Sequence, residues 1–136
     1  MEIQKYTYEG EGLIRVFENA KWMVGIKNWK PANDIMGINN VERHNMTDEL
    51  FILLAGKCTL IFANETADGG LKFEKVEMEP KKVYNIPCTL WHNTVTQKDT
   101  KLALIEDSAC GSANSDVKML TEAQIAEVRE LVGWAK

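Results

Sequence analysis

The feature that most constrains the fold is the stretch 42–56, where polar and apolar residues are arranged as two short strands. Glu42 and His44 are two positions apart, so a β-strand would turn both side chains to the same face. Glu49 then opens an apolar run at 50–55, which has the length of a strand and ends in a Gly-Lys turn. The sequence therefore predicts that two carboxylates and an imidazole meet between neighbouring strands.

The spacing of these residues resembles the first of the two motifs of the cupin superfamily, which consists of small β-barrels. The four residues between His44 and Glu49 match that motif, as do the six residues between Glu49 and Gly56. Two features depart from it: Glu42 stands where the family usually has its first histidine, and Gly37 lies one residue too close to Glu42. The first motif thus indicates a cupin-like barrel with a modified ligand set.

The second cupin motif is present in part. Pro87 and His92, the second of the two histidines in the chain, have the spacing of that motif. Lys81, Thr89 and Thr96 replace its two glycines and its asparagine. The resemblance covers residues 38–107, and it implies an all-β fold, an antiparallel double-sheet jelly-roll barrel.

The resemblance also implies a divalent metal ion bound by His44, Glu49 and His92. Carboxylates and neutral imidazoles buried together are costly unless they are paired, and one divalent cation would satisfy all of them. Iron, manganese, nickel and zinc all suit two histidines with a carboxylate. Glu42 is either a fourth ligand or a solvated carboxylate at a strand end, and Cys88 either reaches the pocket or is a buried, inert thiol.

Three classes of function remain open at this point. The first is a cupin that binds a small polar metabolite and performs metal-dependent chemistry on it. The second is a metal-free sugar isomerase or epimerase, with His44 or His92 as general base and Tyr84 as acid. The third is a barrel that binds a ligand without catalysis.

Composition limits the partners and the compartment. The chain has 136 residues, of which 45% are apolar, and it is expected to form one globular domain over residues 1–136. A net charge of −4 without a run of Lys or Arg argues against nucleic acid and anionic membranes as partners. No apolar stretch approaches the ~20 residues that cross a bilayer, and the charged start lacks a signal-peptide core. We therefore expect a cytoplasmic protein, with Cys58, Cys88 and Cys110 as reduced thiols.

Alternating apolar residues predict a barrel core of many short strands over residues 13–107, followed by a loop at 107–116. A helix is predicted at 121–134, because Thr121 and Gln124 form a capping box ahead of an apolar stripe. On the apolar strand, Phe51 and Leu53 should point into the barrel with Glu49. The side chains between them point outward, and either the C-terminal helix or a second copy of the chain should cover them. We expect a homodimer.

Overall fold

The computed structural model describes residues 1–134, which form ten strands and one α-helix. Residues 135 and 136 of the predicted domain lie outside this range. The strands are β1 (Leu13–Glu18), β2 (Trp22–Asn28), β3 (Asn40–His44), β4 (Glu49–Ala55), β5 (Cys58–Glu65), β6 (Leu71–Glu77), β7 (Val83–Ile86), β8 (Trp91–Thr96), β9 (Lys101–Asp107) and β10 (Ser115–Met119), and the helix is α1 (Glu122–Val132).

The strands form two five-stranded antiparallel sheets. The front sheet has the order β1-β2-β9-β4-β7, and the back sheet has the order β10-β3-β8-β5-β6. Consecutive strands β3 and β4 lie in different sheets, so the chain crosses from one sheet to the other within the first cupin-like motif. The predicted all-β double-sheet architecture with one C-terminal helix is confirmed.

The core between the sheets follows from strand alternation. Phe51 and Leu53 are 2% and 3% exposed, whereas Leu54 is 50% exposed, so the predicted inner and outer faces of β4 are confirmed. The inner faces of the other strands complete one apolar cluster, whose buried members are Met23, Phe51, Leu53, Cys58, Leu60, Met78, Ile86, Leu102 and Leu104. This cluster fills one part of the barrel and leaves the part near β3 and β10 for polar side chains.

Helix α1 packs on the outer face of the back sheet. Thr121 Oγ1 accepts a hydrogen bond from Gln124 N, and Gln124 Oε1 accepts one from Thr121 N, so the predicted capping box is confirmed. The helix ends before Gly133, which adopts φ 73° and donates its N–H to Arg129 O. Val128 and Val132 are buried in a cluster with back-sheet residues, so the helix leaves the outer face of the front sheet uncovered. Within residues 1–134, no helix has the length and apolar character needed to cross a membrane.

Strand β10 lies beyond the predicted end of the barrel core, in a region where the sequence predicted a loop up to residue 116. It pairs with β3, and Ser115 lies opposite His44 while Val117 lies opposite Glu42. Its five residues are all partly or fully exposed. The strand therefore has no buried face that an apolar alternation in the sequence would have indicated. Backbone pairing rather than burial holds this edge strand, and it forms one wall of the site described next.

Candidate metal centre and ligand cavity

The four residues that the sequence singled out lie close together between the sheets. Glu42 and His44 point inward from β3, Glu49 from β4 and His92 from β8. Glu42 and His92 are direct cross-strand neighbours in the back sheet, while Glu49 reaches across from the front sheet. The predicted convergence is therefore present in the geometry.

Glu49 lies between the two imidazoles. Its Oε1 is 3.1 Å from His92 Nε2 and 3.2 Å from His44 Nε2, and the residue is 4% exposed. Burial alone would raise the pKa of this carboxyl, but the two neighbouring imidazoles outweigh it and lower the pKa to about 2. Glu49 is consequently ionised over the whole physiological range.

The contacts of His92 restrict its protonation. Its Nδ1 is 2.9 Å from Leu90 O, an oxygen that only accepts hydrogen bonds, so Nδ1 carries a hydrogen. Its Nε2 faces Glu49 Oε1, which is also only an acceptor. Either Nε2 is protonated as well, giving an imidazolium, or its lone pair binds a cation that Glu49 also binds. His92 is 1% exposed, so its Nε2 is shielded from bulk water.

His44 is held in a similar way. Its Nδ1 is 2.9 Å from Ser115 Oγ on β10. Its Nε2 is buried and has no hydrogen-bond partner within residues 1–134, because the 3.2 Å contact with Glu49 lacks hydrogen-bond geometry. The adjacent Glu49 carboxylate raises the pKa of His44. Like His92, this imidazole turns its Nε2 toward carboxylates in the barrel.

Glu42 borders the same point from the more open side. Its Oε1 is 4.0 Å from His92 Nε2, and its side chain is 38% exposed. Ligand atoms of Glu42, His44 and His92 lie within 4.8 Å of one another, a spacing that could accommodate one metal ion. Glu42 is therefore both a candidate ligand and part of the cavity wall.

The sequence reading missed a third carboxyl group, Glu106 on β9. Its Oε2 is 3.8 Å from His44 Nε2, is buried, and has no hydrogen-bond partner within the described chain. Burial and the charge of Glu49 raise the pKa of Glu106 to about 7. Cys110 also lies near, and His44, Glu106 and Cys110 form a second group whose ligand atoms are within 4.8 Å of one another. Every second residue of β9 points inward, as the buried Leu102 and Leu104 show. Continuing this alternation by two residues places Glu106 on the same inner face, and this was the sequence signal that could have identified it.

A cavity of about 390 Å³ lies beside these groups. Its volume is in the range of small-molecule sites, and its apolar wall includes Leu13, Met23 and Phe51. Two basic residues, Arg15 and Lys27, also line the cavity. The arrangement provides a partly open cavity in which titratable side chains meet an apolar wall.

Two other candidate residues are not part of this cavity. Tyr84 OH accepts a hydrogen bond from Glu79 N at 2.9 Å, and Tyr84 packs against the apolar cluster. Cys88 Sγ lies 3.4 Å from His44 O, and the residue lines a separate surface cleft beside Arg43. The proposed role of Tyr84 as an acid in this site thus loses its geometric basis.

No protein-family model matches the sequence, and no curated protein matches it. Solved structures do match. Pac13 from Streptomyces, solved with uridine, has a TM-score of 0.59 and 11% sequence identity, over 91% of this chain and 98% of that chain. CapF, solved with an inhibitor, has a TM-score of 0.59 and 17% identity, and this chain spans 34% of its length. BH2720 from Bacillus halodurans has a TM-score of 0.55 and 18% identity, over 87% and 83% of the two chains.

These likenesses and the two antiparallel sheets define the fold class. The chain has a cupin-type jelly-roll fold, as the resemblance of its two motifs predicted. Within this fold, the chain is distinguished by two side chains of its own: Glu42, at the position of the first motif histidine, and Glu106, an additional carboxyl group on β9.

Proposed function

We propose that this protein is a metal-dependent cupin that binds a small polar metabolite in the barrel cavity. The metal ligands in this proposal are His44, Glu49, His92 and Glu42, and the ion is iron, manganese, nickel or zinc. Pac13, described as a nucleoside dehydratase, and CapF are both solved with small molecules, which supports a small-molecule ligand for this fold.

The observation that carries the proposal is that the Nε2 atoms of two imidazoles face the same carboxylate oxygen inside the barrel. With a hydrogen on Nδ1, neutral His92 turns a lone pair toward Glu49 Oε1, and His44 Nε2 is buried without a hydrogen bond. A divalent cation fits this donor set because it would accept from both imidazoles and from the carboxylate. Bound there, the metal would act as a Lewis acid on a ligand oxygen.

The surrounding residues would orient this set and exclude water. Leu90 O fixes the ring of His92, and Ser115 Oγ fixes the ring of His44. Glu106, whose pKa of about 7 lies near physiological pH, can hold or release a proton at Oε2 beside the ligand cavity. Phe51 and Leu104 close the cavity on the side of the front sheet.

A second candidate function is metal-free acid–base catalysis, as in a sugar isomerase or epimerase. The same cluster supports this function if no metal ion is bound, because Glu49 then pairs with one or two imidazolium rings. The raised pKa of His44 favours this ion pair. Glu106 would replace Tyr84 as the acid, because the Tyr84 hydroxyl group lies outside the cavity. A barrel that binds its ligand without catalysis would use the same cavity.

The metal proposal predicts one divalent metal ion per chain in protein prepared without an affinity tag. His44→Ala and His92→Ala should each reduce occupancy by at least about tenfold after loading and dialysis, because each removes a direct ligand. Glu42→Gln should have a smaller effect, since its side chain lies at the open edge. Bound metal is measured by inductively coupled plasma mass spectrometry.

The matched control is Glu74→Gln, an exposed carboxyl on β6, which should retain wild-type occupancy. The proposal is wrong if the wild-type protein takes up no metal under any loading condition, or if both histidine variants keep full occupancy. In that case the metal-free isomerase and the binding barrel become the better interpretations.

We also propose that the protein forms a homodimer in the cytoplasm. The support for the dimer is the apolar outer face of the front sheet, which α1 does not cover and where Trp22, Leu54 and Val83 are 45%, 50% and 61% exposed. The support for the compartment is that Cys58, Cys88 and Cys110 are all free thiols.

A further inference from the structure

The inner face of β2 carries a lysine that no role described above uses. Lys27 lines the cavity together with Glu42 and Glu49. Its cross-strand neighbours are Leu13 on β1 and Leu102 on β9, so its stem lies on an apolar wall. Moving an ammonium group from water into such surroundings is unfavourable unless another group compensates the charge.

No direct contact compensates it within the described chain. Lys27 forms no ion pair and no hydrogen bond with residues 1–134, and Glu42 and Glu49 act on it only through space. Burial is the larger influence and lowers its pKa. The amino group of Lys27 thus lies at the ligand cavity without a bound counter-ion from the described protein.

The other cation of the cavity wall differs from Lys27 in this respect. The guanidinium group of Arg15 donates to Glu18 Oε2 at 2.9 Å, to Ser108 O at 2.7 Å and to Cys110 O at 2.6 Å. These contacts tie β1 to the segment before β10 and use three of the five N–H donors of Arg15. Of the two basic residues on the cavity wall, Lys27 is the one without a hydrogen bond or ion pair in the described chain.

An unpaired ammonium group at the cavity favours an anionic ligand. Lys27 supplies that group, while Glu42, Glu49 and Glu106 place three carboxyl groups on the same cavity wall. A phosphate dianion would place more negative charge beside these carboxyl groups than one ammonium group can offset, so a ligand group with a single negative charge fits the wall better.

We propose that the cavity binds a small carboxylic acid as its carboxylate, and that the ammonium group of Lys27 pairs with that carboxylate. This names the ligand class of the proposed function and rests on it for the identity of the cavity as the ligand site. Lys27 itself binds the ligand and takes no part in holding the metal.

The test uses pyruvate and pyruvamide as probes, because they match in size and differ in charge. Binding to metal-free and metal-loaded wild-type protein is measured by ligand-observed nuclear magnetic resonance, with inorganic phosphate as a third probe. The same titrations are made with Lys27→Met, with Lys27→Gln and with the control Lys72→Met, an exposed position on β6. Thermal melts identify any variant that does not fold.

Wild-type protein and Lys72→Met should bind pyruvate at least about tenfold tighter than pyruvamide, the expected effect of one charge-assisted hydrogen bond. Phosphate should bind more weakly than pyruvate. Both Lys27 variants should lose the preference for pyruvate while keeping wild-type metal occupancy. The proposal is overturned if wild-type protein shows no preference for the anion or prefers phosphate, or if a folded Lys27 variant retains the preference for pyruvate.

Failure of the metal proposal would give a different result. Wild-type protein would then take up no metal, and yet metal-free protein would still prefer pyruvate through Lys27. Conversely, a protein that binds metal at full occupancy and does not distinguish pyruvate from pyruvamide would retain the metal proposal and lose this one. If neither Lys27 variant folds, the comparison of pyruvate with pyruvamide on wild-type protein decides whether the cavity prefers an anion.

Discussion

At the scale of single residues, the site is defined by imidazole nitrogens that face carboxyl oxygens. Glu49 Oε1 approaches both Nε2 atoms, and Glu106 Oε2 lies 3.8 Å from one of them. Together with Glu42, whose Oε1 is 4.0 Å from His92 Nε2, three carboxyl groups surround the two imidazoles. The protonation states of these five groups depend on one another. The different pKa values of Glu49 and Glu106 follow from their positions, since Glu49 lies against both rings and Glu106 lies near only one.

Glu106 should make the metal-free protein less stable as the pH rises. Its folded pKa of about 7 lies above the ordinary value of 4.5, so the folded state retains a proton that the unfolded chain has lost between these two values. The free energy of unfolding therefore falls across this window and levels off above it. Glu106→Gln removes this loss, and at pH 8 it should be more stable than wild type by about 1–3 kcal/mol.

The measurement is urea unfolding in the presence of a chelator at pH 8 and at pH 4. At pH 4 wild type and Glu106→Gln should have nearly equal stability, because Glu106 is then protonated in both states. Glu74→Gln, at an exposed position, serves as control and should show no such difference between the two pH values. A gain of equal size at both pH values would contradict this account.

At the scale of elements, the two positions where the second motif has lost its glycines have a common backbone feature. Lys81 and Thr89 stand where the motif has glycine, and they have φ values of 70° and 74°. The structure therefore keeps the left-handed conformation that glycine favours while the sequence carries larger residues. Thr89 N donates to His44 O at 2.8 Å, so this turn links the end of β3 to the start of β8.

Thr89→Gly should stabilise the protein. A β-branched residue in the left-handed region costs about 1–2 kcal/mol, and glycine loses about 0.5–1 kcal/mol more in conformational entropy on folding. The net expectation is a gain of about 0.5–1 kcal/mol in the free energy of unfolding, measured by urea denaturation. Thr89→Ala is the matched control, because it retains the Cβ and should not reach the stability of Thr89→Gly. Equal stability of the two variants would show that the turn is not strained.

The sequence was sufficient for those elements whose residues alternate clearly or match a motif. Strand alternation placed Phe51 and Leu53 inside, and the capping box placed the start of α1 at Thr121. Strand β10 was missed because its pairing depends on backbone hydrogen bonds with β3, which leave no apolar pattern in five partly exposed residues. Glu106 was missed because a carboxylate at a strand end is usually solvated, and only the position of β9 in the sheet buries it.

At the scale of the whole molecule, the two outer faces of the barrel differ. The back sheet is covered by α1, whose Val128 and Val132 are buried on it. The outer face of the front sheet is not covered by the helix and exposes apolar side chains from four of its strands, namely Ile14, Phe17, Trp22, Leu54 and Val83. The sequence left open whether the helix or a second copy covers the outer face of β4, and the position of α1 removes the first alternative.

A second copy of the chain on the front sheet predicts a particle of about twice the 15.4 kDa chain mass. Leu54→Lys and Val83→Lys each place a charge in this face, and the desolvation of that charge should shift the protein toward the monomer. Because both side chains are largely exposed in the single chain, these variants should fold with little change in melting temperature at low protein concentration. Sedimentation velocity over a hundredfold range of concentration measures the mass.

Met36→Lys is the control for added charge at an exposed apolar residue elsewhere, since Met36 is 51% exposed and lies in the loop before β3. It should remain dimeric. A wild-type protein that sediments as a monomer at every concentration would contradict the dimer, and a dimer that survives both front-sheet substitutions would place the interface elsewhere. Because Ile14 and Phe17 lie on the edge strand β1 of the same face, a dimer formed there would also bury the edge of the sheet nearest to Arg15 and the cavity wall.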